Sequence, residues 1–178
     1  MRRGERNTVK GRDSSWSADI PPLVSSLLFI AQIIIGIYLL PVISQNQILA
    51  YAGVGLYSVS GVIFGLLPVF EFRRRGGVQK GKSYIHTTKL VDTGIYSIVR
   101  HPQYVTFMLW AIAGMLLFQH WIVICLGLPI FPLTYLDLIH ADKEGLNKFQ
   151  NEYKRYMERV PRANFLLGII RLLRKRKQ

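Results

Sequence analysis

Residues 20–43 read IPPLVSSLLFIAQIIIGIYLLPVI, and a run of this length and apolarity decides what kind of chain this is. At about 1.5 Å of rise per helical residue it is long enough to cross a hydrocarbon core of about 30 Å. Ile48 to Phe70 form a second run of the same kind. The first is too long for the apolar region of a signal peptide and has no small-residue cleavage site after it, so the basic segment before it is expected to be kept as a cytoplasmic tail. Pro102 to Phe118 and Trp121 to Ile139 make a second pair, parted only by Gln119 and His120. The third span is short, at about 25 Å. Pro129 and Pro132 are expected to bend the fourth, so the pair reads as a kinked helical hairpin.

Charge tests this four-span reading independently. The 178 residues are 50% hydrophobic and carry a formal net charge of +13, which suits one small membrane domain better than a soluble globule. All 23 Lys and Arg lie before the first span, in residues 71–103, or after residue 140, and Ser44 to Gln47 and Gln119 to His120 contain none. The positive-inside rule then makes both termini and the central loop cytoplasmic. The expected organisation is a single all-α membrane domain over 1–178. It comprises a basic cytoplasmic tail at 1–19, four transmembrane spans within 20–139 with a cytoplasmic loop at 71–103, and a cytoplasmic interfacial region at 140–178. Orientation and attraction to anionic membrane lipid account for the positive charge, so no nucleic-acid partner is expected.

Smaller features are read structurally. Arg73-Arg74-Arg75-Gly76-Gly77 anchors and turns the chain at the membrane surface. Gly61 and Gly65 form a Gly-x-x-x-Gly face that permits close helix approach without implying a dimer, and the oligomeric state is left open. Cys125, the single cysteine, is expected as a buried small apolar residue. His86 and His120 lack a partner at metal-ligand spacing and read as loop residues, and no metal is expected. Leu146, Phe149, Tyr153, Tyr156, Met157 and Val160 recur at three- and four-residue intervals, which predicts an amphipathic helix on the membrane, ended by Pro161. Phe165 to Leu173 is too short to span. With Arg171 and the basic residues 174–177 it reads as an amphipathic interfacial helix.

Chemistry concentrates at residues 92–104, Asp-Thr-Gly-Ile-Tyr-Ser-Ile-Val-Arg-His-Pro-Gln-Tyr. A cation, an imidazole and two phenols at a membrane face are costly to desolvate and mark a site. Pro102 suits the first turn of a helix and pushes His101 toward an extended conformation, so Arg100 and His101 sit where the third span begins. Gly94 permits the turn that brings Tyr96 back toward them. Arg100 supplies a rigid positive fork and His101 a donor, both suited to a carboxylate or phosphate. After the fourth span, Asp137, His140, Asp142 and Glu144 return to the same face. A basic end and an acidic end separated by aromatic surface suit a zwitterionic, partly aromatic ligand. Asp137, His140 and Glu144 share a helix face, which favours Glu144 over Asp142 as the working acid. Replacing Asp142 is accordingly expected to be the milder change for cofactor binding and turnover, and replacing Glu144 the more damaging.

The pattern Leu90-Val91-x-x-Gly94-x-Tyr96-x-x-x-Arg100-His101-Pro102-x-Tyr104, followed by an acidic cluster, Phe149-x-x-Glu152-Tyr153-x-x-Tyr156 and Val160-Pro161, resembles the isoprenylcysteine carboxyl methyltransferase and phospholipid methyltransferase superfamily over about residues 88 to 165. The resemblance implies a cytoplasmic S-adenosylmethionine site and a lipidic or isoprenylated methyl acceptor entering from the bilayer. It places Leu90, Val91 and Tyr96 on the adenosine part, His101 and Tyr104 at the methionine end, and Asp142 or Glu144 on the ammonium. Arg100, His101 and Glu144 are then expected to carry the reaction, with His101, His140 or Tyr96 assisting deprotonation of an amine acceptor. Two departures stand out. The family usually has consecutive glutamates where this chain has His140-Ala141-Asp142-Lys143-Glu144, and a Gly where it has Gln150. Alternative readings are a sterol-reductase-like membrane reductase using a nicotinamide dinucleotide, opposed by chain length, and a non-enzymatic membrane scaffold or lipid-binding protein with the same fold.

Overall fold

The computed structural model describes residues 16–40, 46–77 and 88–175. Most of the expected N-terminal tail, the connection 41–45, part of the loop 71–103 and the last three residues lie outside the described residues. The described chain is helical: α1 (Trp16–Leu39), α2 (Gln47–Ser60), α3 (Leu67–Arg75), α4 (Pro102–Phe118), α5 (Trp121–Gly127), α6 (Ile130–Arg159) and α7 (Phe165–Lys175). A π-helical turn at Gly61–Leu66 joins α2 to α3 without interruption, and a 3-10 turn covers Gly94–Ser97. Three stretches are long and apolar enough to cross a membrane: Ile20–Leu39, Gln47–Arg75 and Trp121–Arg159. Pro102–Phe118 is a shorter apolar helix. Large apolar side chains such as Leu27, Ile34, Ile37, Val62 and Phe70 face outward. With water outside they would be costly, and with lipid outside they are expected, so this is an integral membrane protein.

The helices approach closely because glycines let them. A Cβ on Gly53 would lie 2.8 Å from the Ala113 carbonyl oxygen and 2.9 Å from the Leu117 nitrogen, so α2 lies backbone to backbone on α4. Gly61 and Gly65 continue that contact toward Trp110 and Thr106, which assigns the Gly-x-x-x-Gly face to packing within this chain. Trp110 stacks on Tyr57 at 4.5 Å and its indole N–H donates to the Tyr57 carbonyl at 3.0 Å, just where the π turn begins. Gln32, fully buried in α1, donates its amide to the carbonyls of Ala111 (3.1 Å) and Val123 (3.3 Å). One polar side chain thereby ties α1 to both α4 and α5. At one end of the bundle Gln119 clasps Asn46: its Oε1 accepts from the Asn46 N–H at 3.0 Å and its Nε2 donates to the Asn46 carbonyl at 2.9 Å. Asn46 and Gln119, from the two connections that carry no Lys or Arg, therefore lie at the same end.

Pro102 and Pro161 act as expected, whereas Pro132 adds no bend of its own. Pro102 opens α4 after an extended His101 (φ −126°). The Trp121–Arg159 stretch breaks at Leu128–Pro129, and Pro132 falls in the first turn of α6, where its missing N–H costs little. α6 stops at Arg159 with Val160 extended ahead of Pro161.

Three details differ from expectation. α6 runs from the apolar segment through the acidic cluster without a stop and is broken only at Gln150, within the aromatic stripe. The stripe packs inward on the chain itself: Tyr153, Tyr156 and Val160 are buried against Leu90, Leu146, Phe149 and Met157. Cys125 is exposed on the outer face of α5, beside the exposed Ile124, rather than buried.

Candidate active site

Two distant pieces of chain make the site by pairing their backbones. The Arg100 N–H donates to the Pro161 carbonyl at 3.1 Å, and the His101 N–H to the Arg162 carbonyl at 3.3 Å. Both stretches are available for this because the residue before each proline is held extended. The 3-10 turn presents Tyr96 beneath them: Gly94 takes φ +61°, and a Cβ there would meet the Glu71 carboxylate. Tyr96 is buried, stacks on Phe72 at 4.6 Å, and its carbonyl accepts the Tyr156 hydroxyl at 2.7 Å.

Asp142 is the hub. It is 3% exposed, and its carboxylate takes four side-chain partners. Oδ1 lies 2.8 Å from His101 Nε2 and accepts the Tyr153 hydroxyl at 2.9 Å. Oδ2 accepts Arg162 Nε at 2.6 Å and pairs with Arg100 Nη2 at 3.2 Å. Since an ionised carboxylate only accepts, the His101 proton belongs on Nε2. Arg162 also donates to the Tyr135 hydroxyl at 3.2 Å. Burial works against the Arg162 charge, but the hydrogen bond and field of Asp142 outweigh it and hold this guanidinium above its ordinary pKa. Asp142 is thus occupied by the chain's own donors, and none of its lone pairs is aimed at the neighbouring cavity.

That cavity, about 290 Å³, is walled by Leu90, Val91, Tyr96, Arg100, His101, Tyr104, Ala141, Glu144, Gly145, Lys148, Phe149, Tyr153 and Tyr156, with Phe72, Lys89 and Gln103 completing it. Seven of the eight residues to which the resemblance gives a cofactor or reaction role therefore meet around one space, the eighth, Asp142, stands behind it, and Asp137 and His140 do not line it. Ala141, Glu144, Gly145 and Lys148 come from one face of α6, as three- and four-residue spacing requires. Glu144 is exposed on that face, whereas Arg100 is buried with its Nε and Nη1 lacking any hydrogen-bond partner among the described residues. A buried guanidinium with two idle donors, an opposed carboxylate and an aromatic and aliphatic wall can hold a ligand that carries an anionic group, an ammonium and a flat ring.

Sequence reasoning missed Gln103, Lys89 and Lys148, and gave Arg162 no role. Arg162 was visible as the residue after Val160-Pro161, but its role depends on the backbone pairing with Arg100. Gln150 resolves one departure noted above. It has φ 47° and ψ −122° inside α6, a conformation that glycine enters freely and that costs a residue with a Cβ. The break turns the helix so that Tyr153 folds back over Gly145, where a Cβ would strike the Tyr153 ring.

Residues 81–147 match the sequence model of the isoprenylcysteine carboxyl methyltransferase (ICMT) family. That segment holds Arg100, His101, Tyr104, Asp142 and Glu144 and stops short of Tyr153 and Tyr156. Protein-S-isoprenylcysteine O-methyltransferase of Schizosaccharomyces pombe (strain 972 / ATCC 24843) is 29% identical over 107 residues, covering 54% of this chain and 45% of that protein. The matched part of this chain thus spans less than half the length of that relative. No solved structure gives a significant match. The two matches bear out the resemblance to the isoprenylcysteine carboxyl methyltransferase superfamily read from residues 88 to 165.

Proposed function

We propose that this chain is a membrane-embedded methyltransferase that uses S-adenosylmethionine to methylate a lipophilic acceptor arriving from the bilayer, with its site and both termini on the cytoplasmic side. The observation that carries the reading is Arg100: buried, lining the 290 Å³ cavity, and with two donor atoms unpartnered among the described residues. The cavity's donor set fits this cofactor. Tyr96, Leu90 and Val91 offer a flat and apolar wall for the adenosine, Arg100 a positive charge for the carboxylate with His101 and Tyr104 beside it, and Glu144 a counter-ion for the ammonium. The bound cofactor would supply an already activated methyl group on a sulfonium.

The chain's own work is then alignment and exclusion of water. In-line displacement needs the acceptor held opposite the leaving sulfur within a near-attack distance, and fixed geometry of this kind lowers a barrier without any metal. Asp142 acts as a positioning residue. It locks Arg100 and His101 at the cavity wall and draws Tyr153 over the α6 face, so the wall does not have to reorganise when ligand enters. The acceptor's apolar part has a route: a groove of about 580 Å³ along the π turn and α4, lined by Tyr57, Gly61, Gly65, Leu66, Val69 and Trp110, reaches Gln103, which also lines the donor cavity. α7 supports the site from outside. Gly168 sits against the Ile98 carbonyl, and Leu166, Ile170 and Leu173 are left exposed beside Arg171 and Arg174, an arrangement suited to lying in an anionic membrane surface.

Titration of S-adenosylhomocysteine into the purified protein in detergent tests the reading. Saturable binding is expected, with Tyr96→Ala and His101→Ala each weakened about ten- to a hundredfold, the equivalent of about 1.5 to 3 kcal/mol for a charge-assisted hydrogen bond or comparable contact. Binding of a nicotinamide dinucleotide instead, or of neither ligand, would turn the assignment to a reductase or to a non-enzymatic lipid-binding protein.

A further inference from the structure

α7 meets the rest of the chain along one narrow side. Phe165 lies tilted on Phe64 of the spanning stretch Gln47–Arg75, with ring centroids 5.2 Å apart. Gly168 is buried, and a Cβ there would overlap the Ile98 carbonyl. Leu166, Ile169, Ile170 and Leu173 recur at helical spacing on an outward side, and all four are exposed. Arg171 and Arg174 follow on the neighbouring side and make no ion pair among the described residues. An isolated helix of 11 residues is marginal in water, so the form of α7 depends on what covers its outward side. Lipid fits that side best, because α7 starts against a lipid-facing span and cations border its apolar residues. Residues 174–177 are all basic, and each cation near an anionic surface strengthens adsorption about fivefold.

The segment that leads into α7 also builds the donor cavity. The Pro161 and Arg162 carbonyls accept the Arg100 and His101 N–H groups, and Ile98, beneath Gly168, lies two positions before Arg100. A crevice of about 130 Å³ between α6 and α7 has Tyr156, Arg159, Arg171 and Leu172 in its walls, with Asp92 and Ser97. Asp92 is already paired with Arg159 at 3.2 Å, and the Ser97 hydroxyl donates to the Gly94 carbonyl at 2.7 Å. Arg171 thus stands without a carboxylate of its own. Tyr156 is a wall of both this crevice and the donor cavity.

We propose that α7 is a docking surface for anionic phospholipid whose occupation tightens the donor cavity, a reading that rests on the donor assignment above. Lipid binds α7 as a formed helix seated on Ile98, so it favours the state in which 161–162 hold Arg100 and His101 at the cavity wall. By linkage, a bound donor tightens the hold on lipid by the same factor.

The test places the full chain in nanodiscs of phosphatidylcholine alone and of equal parts phosphatidylcholine and phosphatidylglycerol. S-Adenosylhomocysteine affinity is read by calorimetry, and the protection of the Arg100 and His101 amides by hydrogen exchange without ligand. In the mixed discs the parent is expected to bind S-adenosylhomocysteine about fivefold or more tighter and to exchange those amides more slowly. The double variant Arg171→Gln/Arg174→Gln is expected to match the parent in phosphatidylcholine and to lose the gain in the mixed discs, and added salt is expected to erase the parent's gain. Equal affinity in the two discs overturns the proposal, even if α7 adsorbs. A gain that survives both the double variant and salt also overturns it and hands the apolar side to neutral lipid. Slower exchange in the mixed discs, with S-adenosylhomocysteine bound in neither, refutes the donor reading and leaves the lipid surface standing; equal exchange with no binding refutes both.

Discussion

Replacing Asp142 by Asn removes one charge and almost no volume, so the outcome isolates what the carboxylate does. The His101 and Tyr153 side of the hub can adapt. The amide can present its NH₂ to Oδ1's former partners, with His101 shifting its proton to Nδ1 and Tyr153 rotating its hydroxyl. The guanidinium side cannot adapt. Arg100, whose side chain is 6% exposed, loses its counter-charge and already has two donor atoms without partners among the described residues. Breaking a buried pair from one side costs about 3 to 5 kcal/mol because it strands the other charge. Arg162, with 28% of its side chain exposed, recovers most of its loss from solvent and adds less than about 1 kcal/mol. Reversible unfolding in mixed micelles, followed by circular dichroism, should therefore place Asp142→Asn about 3 to 5 kcal/mol below the parent and Arg162→Met within about 1 kcal/mol of it. A loss under about 1 kcal/mol for Asp142→Asn refutes the hub. The expectation drawn from helix spacing, that Asp142 is the milder position, concerns donor binding and turnover and is a separate measurement.

Glu144→Gln should leave unfolding unchanged within about 0.5 kcal/mol, as exposed positions do, yet weaken S-adenosylhomocysteine about ten- to a hundredfold by calorimetry. Gln150→Gly relieves a positive φ and should stabilise the fold by about 0.5 to 1 kcal/mol in the same unfolding assay; a destabilised variant would contradict the strained turn. Gly53→Val forces α2 off the α4 backbone and should cost about 1 to 3 kcal/mol by overpacking, whereas the same change at Gly55, which has open space around it, should be close to neutral. In a Cys125→Ser background, single cysteines at Gln45 and Lys177 should differ in labelling by an impermeant reagent applied from outside, with Gln45 reactive; equal reactivity would sink the proposed orientation.

What the sequence disclosed, and what it withheld, divides along the range of the interactions. Pro102, Gly94 and Pro161 act on their immediate neighbours, so the start of α4, the turn before it and the end of α6 could be read directly. The apolar runs could be read because lipid imposes length on each segment separately. Seven of the eight residues to which the resemblance gives a role also converge, because Tyr96 through Tyr104 are contiguous and Glu144 follows from helix spacing. Asp142 could not be placed this way. Its environment is set by Arg100 and Arg162, which lie 42 and 20 positions away and meet only through backbone pairing of two extended segments. The inward packing of the Tyr153 and Tyr156 stripe depends on the same return of the chain. An amphipathic pattern fixes which face is apolar, and it is silent on whether protein or lipid covers that face.

The central claim, a methyl-donor site between the Arg100 segment and α6, is tested most directly by an experimental structure of the protein saturated with S-adenosylhomocysteine. The account predicts density for the ligand in the cavity, its carboxylate toward the Arg100 guanidinium, its ammonium toward Glu144 and its adenosine against Tyr96, Leu90 and Val91, with Asp142 still bound to Arg100, His101, Tyr153 and Arg162. Ligand density elsewhere, or that cavity empty at saturation with Arg100 paired as before, would contradict it.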